Sequence, residues 1–179
     1  MSASSAKSAP CLGFLTVVQN DQLGLLGGYL LLNAAGRPLE FHCTAPVKPN
    51  RTQEILYGPT LLPFLYGEQI GQTLLTRSKL TPLVVCTDSE PMLAARDFTH
   101  FPLVLVLPSA SASASTQFSG SGPFPLAKSH VIAAPHYASD QQAIRETWPA
   151  QADHLDLAEP FSRIREALDE AQKSARQAA

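Results

Sequence analysis

Lys48 and Arg51 stand in the stretch Pro46-Val47-Lys48-Pro49-Asn50-Arg51-Thr52-Gln53-Glu54, at the mouth of a predicted helix. The first turn of a helix presents unpaired N–H groups and the positive end of its dipole, so two cations there add charge of the same sign. A phosphate, sulfate or carboxylate relieves the conflict, held by the amides and by the two-pronged guanidinium. The competing use of Arg51 is a surface ion pair with Glu54, one turn on, worth only ~0.5 kcal/mol.

A second candidate lies at Cys86-Thr87-Asp88, the C-terminal end of the apolar run Leu83-Val84-Val85-Cys86, where open α/β sheets set their ligand-binding residues. Asp88 offers a general base or a metal ligand, and it serves equally as the cap of a helix that starts with Ser89-Glu90-Pro91. Cys86 reads as a small buried hydrophobe, because a thiol inside a strand and away from cations stays protonated. Of the five histidines, His42 beside Glu40 is the best placed for acid–base work, although a solvated strand position explains it as well. No histidine falls in a ligand spacing, and no phosphate-binding glycine loop, dinucleotide fingerprint or serine elbow is present, so neither a metal nor a cofactor is expected.

The elements that must position these residues follow from pattern. Phe14 to Gln19, Leu25 to Asn33 and Leu39 to Thr44 read as an antiparallel meander joined by Asn20-Asp21-Gln22 and by a turn around Gly36. In the third strand Leu39, Phe41 and Cys43 alternate with Glu40, His42 and Thr44, which assigns the first set to the core and the second to water or a partner. Gly27-Gly28 inside the second strand signals a bulge or a close backbone approach. Asn50 and Gln53 have the spacing of a capping pair for a helix to Tyr57, and a longer helix runs from about Pro59 to Thr76. Two continuously apolar strands, Leu83 to Cys86 and Leu103 to Leu107, flank a short helix over Ser89 to Arg96 and should be parallel and buried on both faces. A strand at His130 to Ala134, a helix from about Asp140 and a terminal helix from Pro160 to Ser174 complete the chain. The stripe Phe161, Ile164 and Leu168 of that last helix docks on the body in preference to a partner.

A 179-residue chain with 45% hydrophobic and 16% charged residues is globular rather than disordered. Its net charge of −2 supplies no basic field, and its 7% aromatic content does not alternate with Lys or Arg, which disfavours nucleic acid. The longest greasy stretch, Leu23 to Leu32, is half the ~20 residues of a membrane span. Three scattered cysteines read as thiols in a reducing compartment. The expected organisation is a disordered tail over 1–10 and a single α/β domain over 11–179, with a flexible Ser/Ala/Gly insertion at 109–123. Its mixed sheet joins the N-terminal antiparallel meander to further strands and is covered by a bent central helix and a C-terminal helix.

The function expected on this basis is a non-catalytic cytoplasmic binding or scaffold protein with protein-interaction and anion-binding character. Its partner would be a protein or a small anionic ligand, with nucleic acid and membrane excluded. Lys48 and Arg51 would bind the ligand. One alternative is an enzyme acting on a phosphorylated or carboxylated small molecule, with Arg51 on the anion, His42 or Glu54 moving protons and Asp88 orienting water or a metal ion. The other is a self-associating homo-oligomer formed through the meander edge or the terminal helix.

Overall fold

The computed structural model describes residues 9–109 and 122–178. Most of the expected tail and insertion, residues 1–8 and 110–121, lies outside them. The predicted meander is formed by β1 (Cys11–Asn20), β2 (Gly24–Asn33) and β3 (Pro38–Cys43), with Leu15 opposite Tyr29 and Leu30 opposite Phe41. Asparagine side chains build both of its turns: Asn20 Oδ1 accepts from the amides of Gln22 and Leu23, and Asn33 Oδ1 from those of Ala35 and Arg37. The two apolar strands, β4 (Val85–Thr87) and β5 (Leu103–Val106), lie parallel to β1 and are buried on both faces, as their unbroken apolar sequence predicts. Two antiparallel strands, β6 (Phe124–Leu126) and β7 (Ser129–Ala133), extend the sheet, whose order is β3-β2-β1-β4-β5-β7-β6. The fold is therefore α/β with a mixed sheet.

Strand alternation divides the core into two layers. Leu12, Phe14, Leu30, Cys86 and Val104 face one side, where they meet Phe161, Ile164 and Leu168 of the terminal helix α5 (Glu159–Gln177). Leu15, Tyr29, Leu31, Val85 and Leu103 face the other and meet Leu65, Ile70, Leu74 and Met92. That second layer begins with α1 (Arg51–Tyr57), whose capping box closes as predicted: Gln53 N donates to Asn50 Oδ1 at 2.8 Å and Asn50 N to Gln53 Oε1 at 3.1 Å. Beyond it Pro59 and Pro63 each withhold an amide from the helical ladder. The run answers by changing pitch rather than breaking, through a short α2 (Leu61–Pro63) into a π-helix over Phe64–Gln72 and then α3 (Thr73–Arg77). A 3-10 helix over Glu90–Phe98 packs beside it, and α4 (Ser139–Thr147) follows β7. No helix among the described residues is long and apolar enough to cross a membrane.

Gly27-Gly28 is the predicted close approach, and it serves both faces at once. A Cβ on Gly27 would strike Ile70 of the π-helix, and one on Gly28 would strike Ile164 of α5. Both layers of helices therefore seat on β2 where it carries no side chain.

The inside–outside reading of β3 is inverted in the structure. Leu39 and Phe41 are 46% and 40% exposed, whereas Thr44 is buried and its hydroxyl accepts from the amide of Gly27. β3 is an edge strand, and α5 contacts β1 and β2 on that side of the sheet, while the loop at Ser78-Lys79 covers the opposite one.

Tyr29 is fully buried, and its hydroxyl has no hydrogen-bond partner among the described residues. Leaving such a group unpaired costs about 1–3 kcal/mol. Tyr29→Phe should therefore raise the urea midpoint, through a gain in unfolding free energy of about 1 kcal/mol once the small void is subtracted. A lowered midpoint would show that the hydroxyl is paired after all.

Candidate functional site

The register of β1 against β4, with Leu15 opposite Thr87, carries Thr16 and Asp88 side by side at the carboxyl ends of two parallel strands, both facing α5. The Thr16 hydroxyl, fully buried, donates to Asp88 Oδ1 at 2.6 Å. From above, α5 brings Arg165, which follows the buried Ile164 and lies one turn past Phe161, so its Nη2 donates to Asp88 Oδ2. The Arg165 side chain is 47% exposed and that of Asp88 21%, so the guanidinium stands between the carboxylate and solvent. Tyr66, from the π-helix, is also close enough to feel this carboxylate: burial first, and the negative charge of Asp88 second, push its phenol above the usual range. Its hydroxyl therefore stays protonated at neutral pH and is a donor.

Asp88 was read as a general base or metal ligand and, alternatively, as a helix cap, and the structure does not use it as a cap. Ser89 stands at the cap position of the 3-10 helix without a capping hydrogen bond, while both Asp88 oxygens are taken by residues distant in sequence. Cys86 behaves as expected, its thiol pushed up to about 12 by complete burial.

The other candidates are not brought to this point. Lys48 is exposed, and Arg51, with its side chain 82% exposed, places Nη1 3.1 Å from Glu54 Oε2. His42 Nε2 lies 2.8 Å from Glu40 Oε2, which also accepts from Ser78 Oγ at 3.1 Å and from the amide of Lys79 at 3.4 Å. The hydrogen bond from His42, then those from Ser78 and Lys79, hold the Glu40 carboxyl below its ordinary value of 4.5 against a smaller desolvation effect. A carboxyl depressed in the folded state contributes stability above its unfolded value and loses it as pH falls through the folded one. Urea unfolding at pH 6 and pH 3 should therefore show a larger acid loss for the native chain than for Glu40→Gln, whereas equal losses would remove Glu40 from the acid response.

Pattern reading missed Thr16, Tyr66 and Arg165. Thr16 carried a signal, a hydroxyl among the buried apolar positions Phe14, Leu15 and Val17. Arg165 carried none, being one of several charges on the polar side of an amphipathic helix.

Metal-dependent nucleases and phosphatases gather carboxylates around divalent cations. Here one carboxylate is flanked by a hydroxyl and a guanidinium, and among the described residues no group of three His, Cys, Asp or Glu side chains is placed to hold a metal ion. This donor set does not fit a divalent cation.

No family model and no curated protein sequence matches the chain. Among solved structures, the chain is similar to endonuclease V of Ciona intestinalis in complex with a 23mer DNA containing an inosine followed by a ribo-adenosine, with a TM-score of 0.50, 13% identity, and coverage of 93% of this chain and 88% of that one. The catalytic domain of human endonuclease V gives a TM-score of 0.47 and 16% identity over 96% of this chain and 85% of that one. At such identities the likeness is one of fold. It nevertheless corrects the sequence reading on its function, its protein-interaction and anion-binding emphasis, and its exclusion of nucleic acid. The functional reading rested on the lack of a compact catalytic signature, the anion-binding emphasis on Lys48 and Arg51, and the exclusion of nucleic acid on a net charge of −2 and few aromatics, whereas a sheet of this design occurs in an endonuclease bound to DNA. The residues at such a strand-end site come from segments 72 and 77 positions apart, which no short motif displays.

Proposed function

We propose that the chain binds nucleic acid at the strand-end face formed by Thr16, Tyr66, Asp88 and Arg165. The observation that carries the reading is the half-exposed Arg165 guanidinium, fixed by Asp88 at the carboxyl ends of β1 and β4, on a fold similar to that of a DNA-bound endonuclease V. Asp88 and Thr16 position the guanidinium, and its outward N–H groups meet a phosphate. The helical run leading to Tyr66 adds an apolar surface: Leu56 and Leu62 are 77% and 50% exposed, and Tyr57 stacks on Phe64 at 4.1 Å. Unpaired bases stack on surfaces of this kind, so single strands suit the face better than a duplex. The cytoplasm suits this reading, since Cys11, Cys43 and Cys86 are all free thiols.

The test is fluorescence anisotropy of a labelled single-stranded oligonucleotide, with and without one inosine, titrated across salt concentrations. Arg165→Ala should weaken binding by about tenfold and reduce the salt slope by about one phosphate contact, whereas Lys173→Ala, farther along α5, should change neither. Equal affinity and slope for the native chain and Arg165→Ala would remove the proposal.

A further inference from the structure

The cluster at the strand ends is electrically closed from inside the chain. The charges of Asp88 and Arg165 cancel, Thr16 and Tyr66 are neutral, and the more exposed member of the ion pair is the cation. Both Asp88 oxygens accept from within the chain, Oδ1 from Thr16 at 2.6 Å and Oδ2 from Arg165. Arg165 gives that bond from Nη2 and makes no other hydrogen bond among the described residues, so most of its N–H donors are left for an incoming group. A hard divalent cation needs the reverse, several oxygen acceptors and enough negative charge to offset the loss of its water shell. Residues 1–8, 110–121 and 179 contain no Asp, Glu, His or Cys, so they add no ligand of those types.

In carboxylate-based phosphoryl sites the cation stands between a carboxylate and a phosphate oxygen, where it holds the phosphate and generates the attacking hydroxide. The Arg165 guanidinium stands on Asp88 in the same relation, as a cation that cannot leave. It is fitted to only the first of those tasks: a guanidinium donates hydrogen bonds to phosphate oxygens, but it coordinates no water and offers no base. The cluster supplies no base elsewhere, since Asp88 gives its oxygens to Thr16 and Arg165, and no histidine hydrogen-bonds to its members among the described residues. Resting on nucleic-acid binding at this face, we infer that Arg165 is a built-in replacement for a divalent cation, so that the chain holds a nucleic-acid strand without metal and leaves its phosphodiester bonds intact.

Exchanging the guanidinium for a carboxylate should then create a metal site. Terbium luminescence reads this without nucleic acid, because a Tb³⁺ ion at Asp88 is excited through the nearby Tyr66 phenol. Arg165→Glu should emit at least about fivefold more than the native chain, and adding Asp88→Asn or Tyr66→Phe should remove the gain. Anisotropy of a labelled single-stranded oligonucleotide at matched ionic strength supplies the second readout. The native chain should bind equally in EDTA and in Mn²⁺ and leave the strand full-length on a denaturing gel. Arg165→Glu should bind at least about tenfold more weakly in EDTA and recover about fivefold or more in Mn²⁺. Arg165 is half exposed, and circular dichroism verifies that each variant is folded. Mn²⁺-dependent cleavage by the native chain that Asp88→Asn abolishes, or an Arg165→Glu variant that lacks the terbium gain or the Mn²⁺ recovery, would overturn the inference and leave nucleic-acid binding standing. Failure of the native chain to bind in either buffer would remove nucleic-acid binding at this face, and the inference with it.

Discussion

Asp140→Ala should lower the free energy of unfolding by about 3–5 kcal/mol, the effect of stranding one member of a buried ion pair. Asp140 is 4% exposed, and it accepts both Nε and Nη2 of Arg96 in a two-pronged contact. The Arg96 side chain is itself only 14% exposed, with its guanidinium 4.0 Å above the Tyr137 ring. Truncating the aspartate leaves that cation buried, with the Thr99 carbonyl as its remaining hydrogen-bond partner among the described residues. The pair joins the 3-10 helix to α4, so its loss also frees the segment that carries Tyr137. Urea denaturation of the single variant and of Arg96→Met with Asp140→Leu separates a stranded charge from lost packing, because the double variant removes both charges and should be the more stable of the two. A loss below about 1 kcal/mol in Asp140→Ala would show that the guanidinium finds solvent and that the pair carries little.

How much of this molecule is legible in its sequence depends on the range of the interaction concerned. Local rules read the meander, the Asn50 capping box and the parallel pair β4 and β5, since alternation, spacing and unbroken apolar runs express them within ten residues. Gly27-Gly28 was legible as a close approach, but not the two isoleucines that make it, Ile70 and Ile164, which arrive from opposite faces. The inversion of β3 was hidden for the same reason. Alternation separates two faces without saying which one a helix covers, and α5 stops short of Leu39 and Phe41. The candidate site was the least legible part. Asp88 was found by its position at a strand end, whereas Thr16 and Arg165 become its partners only through strand register and the docking angle of a helix.

That docking makes Phe161→Ala the second large effect, with an expected cost of about 3–5 kcal/mol. Phe161 is 1% exposed and meets the edge of Phe14 at a centroid separation of 5.8 Å and an interplanar angle of 72°. It is the first large apolar residue of α5, so it fixes the start of the helix on β1, and Ile164 over Gly28 fixes the next turn. Arg165 inherits its position from both. Loosening the first turn should therefore weaken oligonucleotide binding as well as stability, because the guanidinium no longer meets Asp88 in one geometry. Phe161→Leu separates the two consequences: it keeps most of the apolar area, remains folded, and should retain the affinity of the native chain with a smaller stability loss. If Phe161→Ala unfolds at the native urea midpoint, α5 is held by its later turns and the positioning of Arg165 does not depend on Phe161. If it is destabilised yet binds as the native chain does under folding conditions, Arg165 is placed by Asp88 alone.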